Sequence, residues 1–212
     1  SRCQRFDFGT IAAARIKERL SQIAAAEGIP VEEEALELVA RRAAGSMRDS
    51  QSLFDQLLAF GGDTITAEDV HRLLGTAGDE RLIALMEAVI ARRRDTALGL
   101  LEESLREGVQ IGSLSDQLVD YLRDLLIIAA GAEGVDLQSV SAAHRARLSD
   151  QATAWGLGTV TAALQILAET KTRMQRVNFD RALMELAVIR LSLLEELDDI
   201  GALIASVSGG PE

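Results

Sequence analysis

Proline is nearly absent from this chain, and that scarcity constrains its fold more than any single motif. Of 212 residues only Pro30 and Pro211 lack a backbone N–H, so almost the whole length is free to be helical. Apolar residues make up 48% of the chain, enough to fill a core, while aromatic residues are only 3%, so that core is aliphatic. Helical periodicity then appears wherever the chain is tested for it. Ile11, Arg15, Ile16, Leu20 and Ile23 set a first helix that opens at Gly9-Thr10 and runs to about Glu27. Gly28 to Val31 interrupts it. Glu32, Glu33 and Glu34 lie in the next first turn, where negative charge is favoured, ahead of Leu36, Val39, Ala40 and Ala43 on one helical face.

Start signals punctuate the rest. Ser46 and Asp49 have capping-box spacing, with Met47 as the first helical residue and Gly61-Gly62 as the stop; Thr66 and Asp69 repeat the box, with Ile65 and Val70 placed as a hydrophobic staple. Beyond Gly75 the pattern restarts at Gly78-Asp79 with longer helices. Leu82, Leu85, Met86, Val89 and Ile90 form one face, and Asp95 is placed to cap a helix carrying Leu98, Leu101 and Leu105. Helices follow over about 114–130, 141–155 and 160–176, with a loop over 131–140. The last helix, 178 to about 197, is apolar on two faces, Leu183, Leu186, Ile189 and Leu193 against Met184, Val188 and Leu191, which reads as burial or sharing with a neighbour. Phe6 and Phe8 alternate with Arg5 and Asp7, the end of a short strand. The expected class is therefore all-α: a small helical bundle over 1–76, a larger helical domain over 79–205, a loose end over 206–212 and a residual N-terminal strand. No solenoid repeat or sustained heptad is present.

Charge and composition narrow the function. A formal net charge of −11 and a pI of about 4.7 exclude the chain as a whole as a nucleic-acid-binding surface. There are 9 basic and 12 acidic residues up to position 76, and 13 and 21 after it, so neither part is a basic arm. The single cysteine, Cys3, excludes an internal disulfide and fits a reducing cytosol. No metal site can be read from two distant histidines and one cysteine. The longest purely apolar run, Leu125 to Ala130, is far short of the ~20 residues that span a bilayer. No P-loop sequence is present and no nucleophile–base pair can be placed. His71 and His144 read as surface histidines, and Arg92-Arg93-Arg94 as a basic helix C-terminal cap rather than a DNA contact. The start, Ser1-Arg2-Cys3 without methionine, reads as a piece of something longer.

One residue stands out. Arg48 falls at the second position of the helix that Ser46 caps, where the macrodipole disfavours a cation by roughly 0.3–1 kcal/mol. Two readings stay open: the arginine grips an anion at a helix N-terminus, or it lies on the surface or pairs with a nearby acid.

Two stretches carry a family resemblance. Ser1-Arg2-Cys3-Gln4-Arg5-Phe6-Asp7-Phe8 resembles the segment that closes the nucleotide-binding domain of bacterial clamp-loader ATPases, the gamma/tau subunits of DNA polymerase III. Gly45-Ser46-Met47-Arg48-Asp49-Ser50-Gln51-Ser52-Leu53-Phe54-Asp55-Gln56 is similar to the second sensor helix of that family. Leu73-Leu74-Gly75 and Tyr121-Leu122-Arg123-Asp124-Leu125-Leu126 resemble its lid end and collar helix, while Gly9-Thr10 departs from a place where the family carries further basic residues.

The resemblance implies an AAA+ lid over 1–76 and a collar over 79–205 that joins subunits into a ring. It puts an arginine finger, reaching a neighbouring subunit's ATP, on Arg2, and a sensor contacting the subunit's own ATP on Arg48. It implies ATP and Mg2+ as cofactors of the complete subunit and none in this fragment, which without a P-loop should be inactive alone. The implied partners are other clamp-loader subunits through the collar, and the sliding clamp and primed DNA through the assembled complex, with no membrane, in the cytoplasm. Two alternatives stand beside it: another AAA+ clamp-loader subunit, or a helical interaction scaffold with no nucleotide link. The Arg-Asp pair after Gly-Ser favours gamma/tau, because loader subunits without nucleotide often lose the sensor arginine.

Overall fold

A computed structural model describes residues 9–60, 62, 64–132 and 134–194. The expected N-terminal strand, Arg2, Cys3 and the 206–212 end lie outside the described residues. Contacts divide the chain into two compact units, Ser1–Leu74 and Gly75–Glu212. Both are helical, and among the described residues there is no sheet.

The first unit packs α1 (Ala13–Glu27), α2 (Glu33–Arg42), α3 (Met47–Phe60) and α4 (Ala67–Leu74). Its core is Ile16, Leu20, Leu36, Val39, Phe54, Leu57 and Val70, on the faces that helical spacing assigns, together with Ile65 ahead of α4. Each fully buried aliphatic chain contributes about 1.5–3 kcal/mol relative to exposure. Helix α1 begins at Ala13, later than Gly9-Thr10, because the preceding residues are engaged elsewhere: the Ile11 N–H donates to Gly45 O at 3.0 Å. Gly28 ends α1 in the left-handed region, φ 71°, as a C-terminal glycine should. The break at 28–31 does more than interrupt. Val31 and Ile65 form an isolated parallel bridge, with Glu32 N–H donating to Ile65 O and Ile65 N–H to Pro30 O, both at 2.9 Å. Glu32 lies outside the first turn of α2, and its Oε2 accepts from Ala67 N at 3.0 Å, satisfying a free donor of α4. Thr66 and Asp69 close a reciprocal box: Asp69 N–H donates to Thr66 Oγ1 at 3.2 Å and Thr66 N–H to Asp69 Oδ2 at 3.0 Å.

The second unit holds α5 (Asp79–Ile90), α6 (Arg94–Arg106), α7 (Ile111–Ala129), a 3-10 turn (Ala142–His144), α8 (Arg145–Met174) and α9 (Asp180–Leu191). Its core gathers Leu82, Met86, Leu101, Leu118, Tyr121, Trp155, Val160, Leu167, Met184 and Val188. Asp95 does not cap α6. The helix starts two residues sooner, Arg93 takes the cap position without a side-chain cap bond, and Asp95 falls inside the first turn. Helix α7 starts three residues ahead of the expected Leu114 because Gln110 N–H donates to Gly75 O at 2.9 Å, fixing an extended cap residue.

Polar side chains set the remaining connections. Gln117 pairs with residue 77 through both halves of its amide, accepting from Ala77 N and donating to Ala77 O, each at 2.8 Å. The 131–140 loop is held by Asp124. This buried carboxylate accepts from Gln138 N, Ser139 N and Ser139 Oγ at 2.7–2.8 Å. The helices expected over 141–155 and 160–176 run as one element, α8, broken internally at Gly156, where φ 71° and ψ 162° are non-helical. Helix α9 begins at Asp180 and ends at Leu191. Its terminal turn closes when Leu193 N–H donates to Arg190 O and Leu194 N–H to Leu191 O. The remainder of that expected helix lies outside the described residues.

Candidate functional site

Arg48 is placed by its cap. Ser46 Oγ accepts from Asp49 N at 3.2 Å and Ser46 O accepts from Ser50 N at 3.1 Å. The Met47 and Arg48 N–H groups are therefore the helix donors left without an intrahelical acceptor. The expected reciprocal bond from Asp49 back to Ser46 N is not made, because that N–H donates to Ala43 O at 2.8 Å. Arg48 itself is exposed and holds no described partner. A nearby acid does not neutralise it.

The turn before the cap is tight. Ala44 and Gly45 both have positive φ, 47° and 86°. A Cβ at Gly45 would lie 2.6 Å from Thr10 Cβ and 3.3 Å from Ile11 N, closer than side chains approach. Only glycine lets the strand of backbone at 10–11 lie against the entry of α3. Residues 10–11 and the helix carrying Arg48 are thus joined through Gly45.

Beside this entry lies an open cavity of about 350 Å3, lined by Ile11, Arg15, Glu18, Arg19, Gln22 and Met47. Arg19 Nη1 donates to Gln22 Oε1 at 3.2 Å. Arg15 and Arg19 are four residues apart on α1, one face of that helix, and both are exposed. Two cations, Arg15 and Arg19, one carboxylate, Glu18, and two apolar walls, Ile11 and Met47, therefore meet at one mouth. The sequence shows Arg48 through its cap spacing; Gly45, Arg15 and Arg19 carry no local signal beyond a glycine before a cap and an i, i+4 pair. Arg2 lies outside the described residues.

Elsewhere the described residues offer little chemistry. No group of three or more His, Cys, Asp or Glu side chains among them could hold a metal. No described helix is long and apolar enough to cross a membrane. His144 Nδ1 lies 3.7 Å from Glu80 Oε1, and Arg147 bridges Glu80 and Glu87 at 2.6 and 2.8 Å, a surface ion-pair network. Tyr121 Oη donates to Gln151 Oε1 at 2.7 Å, and burial pushes its hydroxyl above the usual range, so it is a core group rather than an acid–base catalyst.

Helix α9 is one-sided. Met184, Ala187, Val188 and Leu191 are buried, whereas Leu186 and Leu193 are 47% and 56% exposed and Phe179, just before the helix, is 70% exposed. Leu183 and Ile189 are half-buried between them. An apolar stripe runs along the outer face.

Comparison with known proteins places both units. Residues 15–63 match the family model described as DNA polymerase III clamp loader subunit, ATPase lid domain. Residues 65–207 match DNA polymerase III subunits gamma and tau domain III. The chain is 35% identical over 194 residues to DNA polymerase III subunit tau of Bacillus subtilis, covering 90% of this chain and 34% of that protein. It is 30% identical over 142 residues to the tau subunit of Escherichia coli, covering 66% of this chain and 22% of that protein. The chain thus spans about a third or less of the curated relatives it matches. Among solved structures, the Bacillus subtilis DNA clamp loader delta protein (YqeN) superposes with a TM-score of 0.50 at 19% identity, over 86% of this chain and 57% of that one, a likeness of fold.

Proposed function

We propose that this chain, which belongs to the family of DNA polymerase III gamma and tau subunits, senses ATP through its first unit and joins loader subunits through its second. It contains the clamp-loader ATPase lid and gamma/tau domain III. The observation that carries the sensing role is Arg48: exposed, unneutralised by any described acid, and two residues into a capped helix whose first residue, Met47, lines an open cavity with Arg15, Glu18 and Arg19. That is where a nucleotide phosphate would be stabilised rather than merely tolerated. In the complete subunit the phosphates and Mg2+ would be held by a P-loop that this sequence lacks, and Arg48 would supply a charge-assisted contact from the lid side. Arg2 would reach ATP on the neighbouring subunit as an arginine finger. The chain alone is inactive in this reading.

The two arginines separate experimentally. In the complete subunit Arg48→Ala should weaken ATP binding by ~10–100-fold, the loss of one charge-assisted hydrogen bond of ~1.5–3 kcal/mol. Unchanged ATP titration and ATPase would remove the sensor role. Arg2→Ala should leave the subunit's own ATP affinity near parental and lower the assembled ATPase by up to ~10³–10⁵-fold, the range of in-trans fingers. Equal loss of binding would count against it.

For the joining role, the supporting feature is the stripe of Phe179, Leu186 and Leu193 on α9. Other loader subunits are the partners in this reading; the sliding clamp and primed DNA are reached through the assembly, in the cytoplasm where replication occurs. Leu186→Glu, at a side chain half in solvent, should leave the melting curve unchanged and reduce co-sedimentation with loader subunits; undiminished assembly would discard the stripe as the contact.

A further inference from the structure

The turn between α5 and α6 is built from Arg92, Arg93 and Arg94, and all three side chains are exposed. None holds a described partner. The second unit does not lack carboxylates: Arg81 reaches Glu103 and Glu107, Arg123 reaches Asp124, Arg147 reaches Glu80 and Glu87, and Arg181 reaches Glu102 and Glu185. With 13 basic and 21 acidic residues after position 76, three adjacent guanidinium groups are left unpaired amid a surplus of acid. Even Asp95, next in sequence, holds none of them.

The three side chains make no capping hydrogen bonds to α5. The last carbonyls of α5 are already satisfied by backbone donors, Ala91 N–H to Glu87 O, Arg92 N–H to Val89 O and Arg93 N–H to Ala88 O, the Schellman pattern. Arg92 occupies its left-handed position at φ 58°, where glycine is usual. Arg93 and Arg94 stand at the start of α6, the end of a helix that repels cations. Hydrogen-bonded capping of α5 therefore explains none of the three.

We propose that this turn contacts the phosphate backbone of nucleic acid. Planar guanidinium forks match phosphate oxygens. The turn from 91 to 96 is exposed throughout and contains no aromatic or large apolar side chain. It therefore lacks both the stacking platform of base recognition and the buried anchor of a protein interface. What remains is a sequence-independent electrostatic contact. It rests on the reading of this chain as part of an assembly that works on DNA, and it adds a contact made by the second unit itself.

The test is fluorescence anisotropy of the chain with labelled oligothymidylate and a labelled duplex across a KCl series. Losing three phosphate contacts at ~0.7–0.9 each should lower the log–log salt slope by roughly 2–3 in the R92Q/R93Q/R94Q variant, with binding at low salt weakened more than tenfold. The R92K/R93K/R94K variant should keep most of the slope. An unchanged slope in the glutamine variant overturns the proposal, as does no binding by the parent. So does an equal fall for R173Q/R176Q, which would put the contact elsewhere, or preferential binding of labelled polyglutamate. Far-UV circular dichroism and melting of each variant exclude unfolding as the cause. Because the ATPase of Arg2 and Arg48 variants is read separately, failure here and failure of the lid reading are distinguishable.

Discussion

An alanine at position 45 would carry a Cβ 2.6 Å from Thr10 and hold φ near 86°. Left-handed backbone costs an L residue about 1–2 kcal/mol, and the overlap adds more. Gly45→Ala should therefore destabilise the first unit by at least about 2 kcal/mol, read from urea denaturation followed by circular dichroism; a neutral change would show that the 10–11 segment can leave α3 freely. Asp69 makes a pH-dependent contribution. The Thr66 N–H and hydroxyl hold its carboxyl below the ordinary carboxylate range, Arg72 adding a smaller pull in the same direction. A folded value below the unfolded one means the stabilisation is full above about pH 4 and is lost as pH falls through the folded value. Asp69→Asn should flatten that acid limb of the first unit's stability, and an unchanged limb would assign it to other carboxylates.

At the scale of elements, starts and stops that depend on residues three or four apart are legible in the sequence. Ser46, Thr66 and Gly28 do locally what their types and spacing say, and Arg48 was visible as an oddity for the same reason. Features that depend on distant partners are not. Nothing near Glu32 indicates that it serves Ala67, and nothing near Thr10 indicates that Gly45 will claim the space a helix start would need. Asp124 belongs to this second class, since its partners at 138 and 139 follow across a loop. Asp124→Ala leaves the Gln138 and Ser139 amides without their acceptor, and losing hydrogen bonds to a charged group costs roughly 1.5–3 kcal/mol. Urea denaturation measures the loss, and hydrogen exchange at those two amides should accelerate with it; protected amides would mean that another acceptor takes over.

For the whole molecule, two helical units with separate cores carry two separate kinds of residue. The first concentrates exposed cations beside a capped helix; the second presents an apolar stripe and a row of unpaired arginines. Period and composition disclosed the helical class because they average over many residues. The exposure of one α9 face was hidden, since a sequence apolar on two faces does not say which face finds a partner within the chain. The single tyrosine and single tryptophan, Tyr121 and Trp155, are both buried in the second unit. The two cores therefore differ optically as well as chemically. Tryptophan emission during unfolding reports the second core alone, whereas circular dichroism at helical wavelengths sums both. One urea titration of the unlabelled chain, read both ways, gives each unit its own melting record, and a Gly45→Ala chain should shift the second signal while leaving the first in place.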